Sequence, residues 1–245
     1  MSNDKKFALI TGASVGIGKA TAIKLAEEGY DVVLMDINEE KMLLTQAECE
    51  KLGAKVKSYV CDIINEDLVN ASVSDALEFF GKIDVLVNNA ALWKSFHSFL
   101  DTPVDEWKLF FDVNVLGAVY VTRAVLPKMI ENNYGRIVNV ASVAGVYGNK
   151  NMSCYSATKG AIISLTKALA KEVAESGITV NSVSPGTVSD SGKDDLYHTV
   201  PNSLSYMGRS GSDMENAELI SFLCSDKAPY ISGQNIQIDG CRKIL

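Results

Sequence analysis

Short apolar segments alternate with longer helical segments along the whole chain. Strands are predicted at 7–10, 32–35, 56–60, 83–87, 136–140, 179–183 and 235–238. Helices are predicted at about 17–28, 38–52, 68–80, 103–130, 154–174 and 213–225. Apolar character is continuous within most of these strands, which is typical of a parallel sheet covered by helices on both faces. The chain is therefore expected to adopt an α/β fold with a doubly wound parallel sheet.

Length, composition and net charge limit the kinds of molecule that the chain is expected to bind. The 245 residues are 47% hydrophobic, enough for one large core or two domains, and no proline-rich, low-complexity or charged linker divides them. The 23 basic and 30 acidic residues give a net charge of -7, which disfavours nonspecific binding to nucleic acid or anionic membrane. A small-molecule partner is predicted.

Cysteine usage and the amino terminus bear on metal sites and location. The five cysteines are scattered, form no C-x-x-C pair and are accompanied by only two histidines, so neither a disulfide framework nor a metal site is expected. The first residues lack the features of a signal peptide, and no uninterrupted apolar run approaches the ~20 residues that span a bilayer. These observations predict a soluble, cytoplasmic protein.

A glycine-rich segment follows the first predicted strand and opens the first helix. Residues 11–18 are T-G-A-S-V-G-I-G. Glycines allow a sharp turn and a close approach to a pyrophosphate, and the helix start offers free N–H groups and a partial positive charge. Ligands of doubly wound sheets bind beyond the carboxyl ends of the strands, so this segment is a candidate phosphate loop. The alternative is a tight turn with no ligand.

An acidic residue ends the second predicted strand. Asp36 lies eighteen residues after Gly18, close to the ~20-residue offset at which a carboxylate accepts hydrogen bonds from the adenosine ribose of a dinucleotide. A carboxylate there repels a 2'-phosphate, and the nearby Val15 and Ile37 supply no positive charge. NAD is therefore predicted in preference to NADP. The alternative is that Asp36 caps the helix starting at Asn38.

A tyrosine and a lysine form a candidate acid/base pair. Tyr155 and Lys159 are four residues apart in a predicted helix, so their side chains lie on one face. A free tyrosine titrates near pH ~10, and a neighbouring cation favours the phenolate. A tyrosine and a lysine at this spacing are more often an incidental pair on the protein surface than a catalytic pair. Ser142, thirteen residues before Tyr155, and the glycine-rich loop favour the catalytic interpretation.

Taken together, these motifs resemble the short-chain dehydrogenase/reductase superfamily in its compact form, over essentially the whole chain. The ordered motifs are residues 11–18, Asp62, Asn88-Asn-Ala-Ala91, Asn114, Ser142, Tyr155 with Lys159, and Pro185-Gly186. The resemblance implies one Rossmann-like domain over residues 1–245, with a seven-stranded parallel sheet and helices on both faces. It also implies a homo-oligomer, a tetramer or a dimer, assembled through the long helices.

The resemblance assigns roles to four catalytic residues. It implies that Tyr155 is the proton donor and acceptor and that Ser142 orients the substrate oxygen. It further implies that Lys159 lowers the pKa of Tyr155 and binds the nicotinamide ribose. Asn114 is similar to the residue that supports a water between Lys159 and solvent; the alternative is a mid-helix polar side chain bonded locally.

The resemblance also implies a cofactor-binding set, in which Asp62 and Ile63 lie beside adenine and Asn88 and Ala90 lie near the adenosine ribose. The full set is Gly12, Ser14, Gly16, Ile17, Gly18, Asp36, Ile37, Asp62, Ile63, Asn88, Ala90, Tyr155, Lys159, Pro185, Gly186 and Val188. Two positions depart from the family pattern. Ala91 replaces a glycine, and Asp190 replaces a threonine that contacts the nicotinamide carboxamide, for which Thr187, Ser189 or Ser191 could substitute.

The expected function is NAD(H)-dependent interconversion of a secondary alcohol and a ketone. Three segments are expected to wall the substrate: 92–100, 143–152 and a lid at about 187–212. The first two carry Trp93, Phe96, His97, Phe99, Tyr147 and Met152, which favours a bulky apolar substrate such as a hydroxysteroid unless these side chains pack beneath their loops. A 3-oxoacyl thioester, a polyol and a small cyclic alcohol stay open.

A different class also stays open, a non-catalytic nucleotide-sensing regulatory protein with the same fold. The intact Ser142, Tyr155 and Lys159 argue against it, because a regulator has no need of that set.

Overall fold

The computed structural model describes residues 5–189 and 195–243, and its central feature is a seven-stranded parallel sheet. The strands are β1 (Phe7–Thr11), β2 (Asp31–Asp36), β3 (Val56–Val60), β4 (Val85–Asn88), β5 (Gly135–Val140), β6 (Ile178–Pro185) and β7 (Asn235–Ile238), in the spatial order β3-β2-β1-β4-β5-β6-β7. Every adjacent pair is parallel. The prediction of a doubly wound, Rossmann-like single domain is confirmed.

Helices cover both faces of the sheet. They are α1 (Gly16–Glu27), α2 (Glu39–Lys51), α3 (Glu66–Phe80), α4 (Val104–Phe111), α5 (Ala118–Glu131), α6 (Val143–Tyr147), α7 (Ser153–Val173) and α8 (Asp213–Cys224). Successive strand side chains alternate between two buried clusters: Ile10 and Leu34 pack with α1, α2 and α8, whereas Leu9 and Val33 pack with α3, α5 and α7. A sheet buried on both sides explains the continuously apolar strands.

Local sequence sets several helix boundaries. The Asn38 side chain accepts a hydrogen bond from the Lys41 N–H at the start of α2, and Asn65 does the same for Leu68 at the start of α3. At the start of α8, Ser212 and Glu215 form a capping box. These caps satisfy N–H groups that have no partner within the helix, so the helices begin close to the predicted residues.

The long helix predicted at about 103–130 differs in detail. A π-helical segment, Asp112–Gly117, separates α4 from α5 and carries Asn114. At Gly117, a Cβ atom would lie 2.5 Å from the Ile63 side chain, so glycine permits the close approach of this segment to the loop after β3. Among the described residues, this stretch of 28 residues is the one helix long and apolar enough to cross a membrane; core helices of soluble proteins pass the same test.

Candidate active site

The predicted site residues converge at the carboxyl edge of the sheet. Because β2, β1, β4 and β5 are consecutive neighbours, the segments that follow them lie side by side. The edge therefore brings together Asp36, the loop at 12–18, the segment 88–91 and Ser142. This is the position at which doubly wound folds bind ligands.

The glycine-rich loop is packed so closely that side chains are excluded at two positions. Gly12 has a φ of +64°, and a Cβ there would lie 2.8 Å from the Cα of Ala90. A Cβ on Gly18 would lie 2.0 Å from the Gly12 carbonyl oxygen. The turn thus requires glycine for backbone conformation at one position and for space at the other.

Two polar residues outside the predicted site set hold this loop in place. The Asn89 side chain donates hydrogen bonds to the carbonyl oxygens of Thr11 and Gly12, both at 3.0 Å. The Thr11 hydroxyl accepts hydrogen bonds from the N–H groups of Asn89 at 3.0 Å and Ala90 at 3.1 Å. Asn89 belongs to the Asn-Asn-Ala-Ala segment that the sequence singled out, but only the contacts between β1 and β4 reveal its role.

Asp36 contacts both the loop and the start of α2. Its carboxylate accepts hydrogen bonds from the N–H of Ser14 at 3.0 Å and from the N–H of Asn38 at 2.9 Å. The side-chain cap of α2 is Asn38 itself, so capping does not account for the Ser14 contact. Val15 and Ile37 beside it are exposed apolar residues. The carboxylate is therefore oriented at the mouth of the loop without a basic side chain from these two neighbours.

Close packing of α6 on α7 brings Ser142 to Tyr155. Ser142 is the N-cap of α6, and its hydroxyl accepts a hydrogen bond from the Ala144 N–H at 3.1 Å. A Cβ on Gly145 would lie 2.5 Å from the carbonyl carbon of Lys159, so glycine allows the two helices to touch. The Ser142 hydroxyl thereby comes close enough to the Tyr155 phenol to lower its pKa. Gly145 is a site-shaping residue that the sequence analysis did not identify.

Lys159 is buried beneath the tyrosine. Its Nζ donates a hydrogen bond to the Val140 carbonyl oxygen at 2.7 Å and lies 5.8 Å from the centre of the Tyr155 ring. Burial disfavours the ammonium and lowers the pKa of Lys159 to about 8. The group therefore still carries its charge at neutral pH while titrating much closer to neutrality than a free lysine.

Two opposing effects act on the tyrosine. Burial raises the pKa of Tyr155, and the polar interaction with the nearby Ser142 side chain lowers it by a smaller amount. The net direction in this structure is upward. The lowering of the Tyr155 pKa by Lys159, which the resemblance implies, stays a prediction.

Asn114 is bonded to the start of the segment 92–100. Its amide oxygen accepts from the Leu92 N–H at 2.7 Å, and its amide nitrogen donates to the Leu92 carbonyl at 2.9 Å and to the Thr158 hydroxyl at 3.1 Å. Both amide hydrogens are thereby used. The side chain ties the start of the segment 92–100 to α7; the role of this segment as a substrate wall and the support of a water near Lys159 stay predictions.

Asn88 turns away from the edge. Its amide nitrogen donates to the Thr122 hydroxyl at 3.0 Å and to the Asn139 side chain at 2.9 Å, and its buried amide oxygen has no protein partner. Asn139 in turn donates to Thr166 at 2.9 Å. This network joins β4 and β5 to α5 and α7. Because the Asn88 side chain is bonded inside the fold, its predicted contact with the cofactor would have to be made by its backbone.

Comparison with known proteins identifies the family. The family model described as short chain dehydrogenase matches residues 6–199. The chain belongs to the short-chain dehydrogenase family. It is 38% identical to 3-oxoacyl-[acyl-carrier-protein] reductase FabG of Thermotoga maritima, covering 98% of each chain. It is 35% identical to the (2S)-[(R)-hydroxy(phenyl)methyl]succinyl-CoA dehydrogenase subunit BbsD of Thauera aromatica, covering 100% of this chain and 99% of BbsD.

A solved structure supports the same assignment. The structure of NAD+-bound xylitol dehydrogenase superposes with a TM-score of 0.91 at 36% identity, covering 98% of this chain and 100% of that one. As a short-chain dehydrogenase, the protein is a nicotinamide-dependent oxidoreductase that acts on CH–OH groups. The crowded Gly12–Gly18 turn fits a dinucleotide, because glycines at these positions let the chain turn tightly into the start of α1, and a helix start of this kind is where phosphates bind in such folds.

The remaining predicted cofactor contacts of this short-chain dehydrogenase lie around the same edge. Asp62 accepts a hydrogen bond from the Ile64 N–H at 3.2 Å. Pro185 ends β6, and a Cβ on Gly186 would lie 2.8 Å from the Cα of Asp239. Gly16, with a φ of +59°, and Ile17 open α1, while Ile63 is buried and Val188 forms a bridge with Gly211.

The nicotinamide end is only partly described. Asp190 and Ser191 lie outside the described residues. Ser189 is buried, and its hydroxyl donates to the His198 carbonyl, whereas Thr187 is exposed. Of these hydroxyl candidates, Thr187 is therefore better placed than Ser189 to meet a carboxamide.

Proposed function

We propose that this protein is an NAD(H)-dependent dehydrogenase that interconverts a secondary alcohol and a ketone, with Tyr155 as the acid/base. The observation that carries the proposal is the cluster of Ser142, Tyr155 and buried Lys159 beside the glycine-rich loop. Burial of a lysine next to a phenol costs folding free energy. Ionisable groups whose pKa is shifted in this way occur mainly at functional sites.

In the direction of reduction, Ser142 and Tyr155 donate hydrogen bonds to the ketone oxygen, and Tyr155 transfers its proton to that oxygen. In oxidation, the Tyr155 phenolate accepts the alcohol proton, and the positive charge of Lys159 stabilises the phenolate. Bound nicotinamide supplies or accepts the hydride at its carbon 4. The implied contact of Lys159 with the nicotinamide ribose belongs to this proposal.

The preference for NAD rests on Asp36. Its carboxylate is held at the loop by the Ser14 N–H, where it can accept hydrogen bonds from the ribose hydroxyls of NAD. A 2'-phosphate at the same position would meet a negative charge and the apolar Val15 and Ile37. Electrostatic repulsion therefore favours NAD over NADP.

The substrate is proposed to be a bulky apolar alcohol or ketone, of which a hydroxysteroid is one example. Exposed apolar side chains on two walls support this choice: Trp93 and Phe96 in one, Val146 and Tyr147 in the other. A second candidate is a 3-oxoacyl thioester, favoured by the FabG relative, whose name specifies that substrate. These two candidate substrates differ in the group attached to the reacting carbonyl, which is a ring system in the first and a linear thioester chain in the second.

Assembly into a homo-oligomer, a tetramer or a dimer, is part of the proposal. The helices around Asn114 leave large apolar side chains exposed, including Val104, Leu109, Leu116 and Ile130. Burying such side chains against a second copy removes apolar surface from water. The cytoplasmic location stays a prediction from the sequence.

The deciding experiment is a panel of cyclic, linear and polyhydroxylated secondary alcohols and ketones, assayed by NADH absorbance with NAD(H) and NADP(H). We expect turnover with at least one class, higher kcat/KM with NAD(H), and no measurable turnover for Tyr155→Phe despite unchanged NADH affinity. Tyr59→Phe, at a tyrosine outside the site, is the control and should keep full activity. NADH binding without turnover across the panel would indicate a regulatory protein, and near-normal activity of Tyr155→Phe would refute the acid/base assignment.

A further inference from the structure

The segment 92–100 is anchored to the catalytic elements at two points. Asn114 bonds both the N–H and the carbonyl of Leu92, at 2.7 and 2.9 Å. Ser95 is buried, and the thiol of Cys154, the residue before Tyr155, donates to its hydroxyl at 3.4 Å. The segment therefore keeps a fixed position relative to the tyrosine.

Between and beside these anchors, two aromatic rings point outward. Trp93 is 43% exposed and Phe96 is 62% exposed. Their ring centres are 6.1 Å apart at an interplanar angle of 88°, an edge-to-face contact. Neither ring belongs to the buried clusters of the fold, so packing of the core does not explain them.

A second apolar surface approaches the same end of α7. Val146 and Tyr147, at the end of α6, are 38% and 41% exposed, and the Tyr147 hydroxyl donates to Gln237 at 2.6 Å. Each wall is held to the amino-terminal part of α7: Cys154 contacts Ser95 of the first wall, and Gly145, the residue before Val146, packs against the backbone of Lys159. Exposed apolar surfaces next to a catalytic group are typical of a substrate-binding subsite.

We propose that Trp93 and Phe96 form the subsite for a ring-bearing apolar group attached to the reacting carbon. The pair presents exposed apolar ring surface, which packs against a cyclic hydrocarbon but leaves the many hydroxyl groups of a linear polyol without strong hydrogen-bond partners. The protein would therefore select alicyclic or aromatic ketones and alcohols over linear polyols. This inference rests on the proposed function, since it assigns the substrate of the Ser142–Tyr155 pair.

Substitution tests the subsite through substrate selectivity. For 2-decalone, a bicyclic ketone, we expect Trp93→Ala and Phe96→Ala each to raise KM by about tenfold, as truncation of an aromatic anchor does at binding sites. For 2-butanone, which is too small to reach the rings, kinetics should change less than about twofold. Trp93→Phe should restore most of the affinity for 2-decalone. Phe79→Ala, which removes an exposed ring of another edge-to-face pair on α3 outside the three substrate segments, is the matched control and should behave as the wild type.

Fluorescence tests binding without turnover. The chain has two tryptophans, Trp93 and Trp107, so Trp107→Phe leaves Trp93 as the sole emitter. With NAD+ present, 2-decalone should shift the emission of Trp93 to shorter wavelength, and 2-butanone at equal concentration should not. If Trp107→Phe does not fold, the difference between wild-type and Trp93→Phe spectra reports the same residue.

The outcomes separate the two proposals. Turnover of 2-decalone that is unchanged in Trp93→Ala and Phe96→Ala overturns the subsite and leaves the dehydrogenase assignment intact. A ligand-dependent shift of Trp93 without turnover of any ketone supports the subsite and rejects the proposed function. If the emission of Trp93 shifts on dilution of the protein but not on addition of 2-decalone, the rings lie in a contact between subunits, and the subsite is overturned.

Discussion

Ser142 shows how one hydroxyl can serve both the fold and the reaction. It caps the short helix α6 by accepting from the Ala144 N–H, and it lies near enough to Tyr155 on α7 to affect the ionisation of that residue. The cap fixes the position of the oxygen before any substrate arrives, so little reorganisation is needed during proton transfer. The Ser142 side chain also partly offsets the rise in the Tyr155 pKa that burial causes.

Removing that hydroxyl should change the pH dependence of the reaction. Ser142→Ala eliminates an effect that lowers the Tyr155 pKa, so the phenolate needed for alcohol oxidation forms only at higher pH. We expect kcat/KM to fall about 100-fold or more, and the acidic limb of its pH profile, along which activity rises as the phenolate forms, to move to higher pH. The measurement is kcat/KM for alcohol oxidation as a function of pH.

Ser142→Thr retains a hydroxyl and serves as the control, with a pH profile close to that of the wild type. If the apparent pKa in the Ser142→Ala profile equals that of the wild type, Ser142 does not affect the ionisation of Tyr155, however much the rate falls.

The strand–turn–helix unit formed by β1 and α1 illustrates what local sequence determines. The phosphate loop was predicted because its glycines lie within a few residues of one another, between an apolar strand and a helical pattern. Contacts that hold the loop, from Thr11 and Asn89, connect segments 78 residues apart and were not predicted. Helix α6 was also missed, since Val143–Tyr147 is too short for a helical pattern to be recognised.

Gly18→Ala tests the close packing of this unit. The added Cβ would lie 2.0 Å from the Gly12 carbonyl oxygen, so the backbone of the loop must move. We expect NADH affinity to fall at least tenfold and stability to fall by about 2 kcal/mol, measured by fluorescence titration and denaturant unfolding.

Gly29→Ala provides the matched control for that substitution. Its φ of +90° is unfavourable for alanine, but no atom lies within 4 Å of the added Cβ. It should lose stability and keep NADH affinity. Equal NADH affinity for Gly18→Ala and the wild type would show that the loop tolerates the displacement.

At the scale of the whole molecule, burial of Lys159 lowers the free energy of unfolding at neutral pH. The pKa of Lys159 is lowered from 10.5 to about 8 by burial, so between these values the unfolded chain binds more protons than the folded one. Stability contributed by this group is therefore absent below about pH 8, rises with pH through that interval and is complete above 10.5. A shift of this size corresponds to roughly 3 kcal/mol.

Lys159→Met removes the titration and should remove this pH dependence. We expect the free energy of unfolding of the wild type, minus that of Lys159→Met, to increase by up to roughly 3 kcal/mol between neutral pH and a pH of about 10. Urea unfolding at several pH values measures the difference, and Lys167→Met on the same helix is the control. A difference that does not vary with pH would mean that Lys159 is solvated in the folded protein.

The sequence by itself determined the parallel sheet, the glycine-rich turn between β1 and α1 and the family, because strand burial, glycine spacing and helix starts are properties of neighbouring residues. Only the tertiary structure decided that Asn88 turns inward, that Asn114 holds Leu92 and that Gly145 lets Ser142 reach Tyr155. It also decided the direction of the Tyr155 pKa, since desolvation sums over all the atoms around the phenol. Those atoms come from segments far apart in the chain, and their proximity exists only once the sheet has assembled.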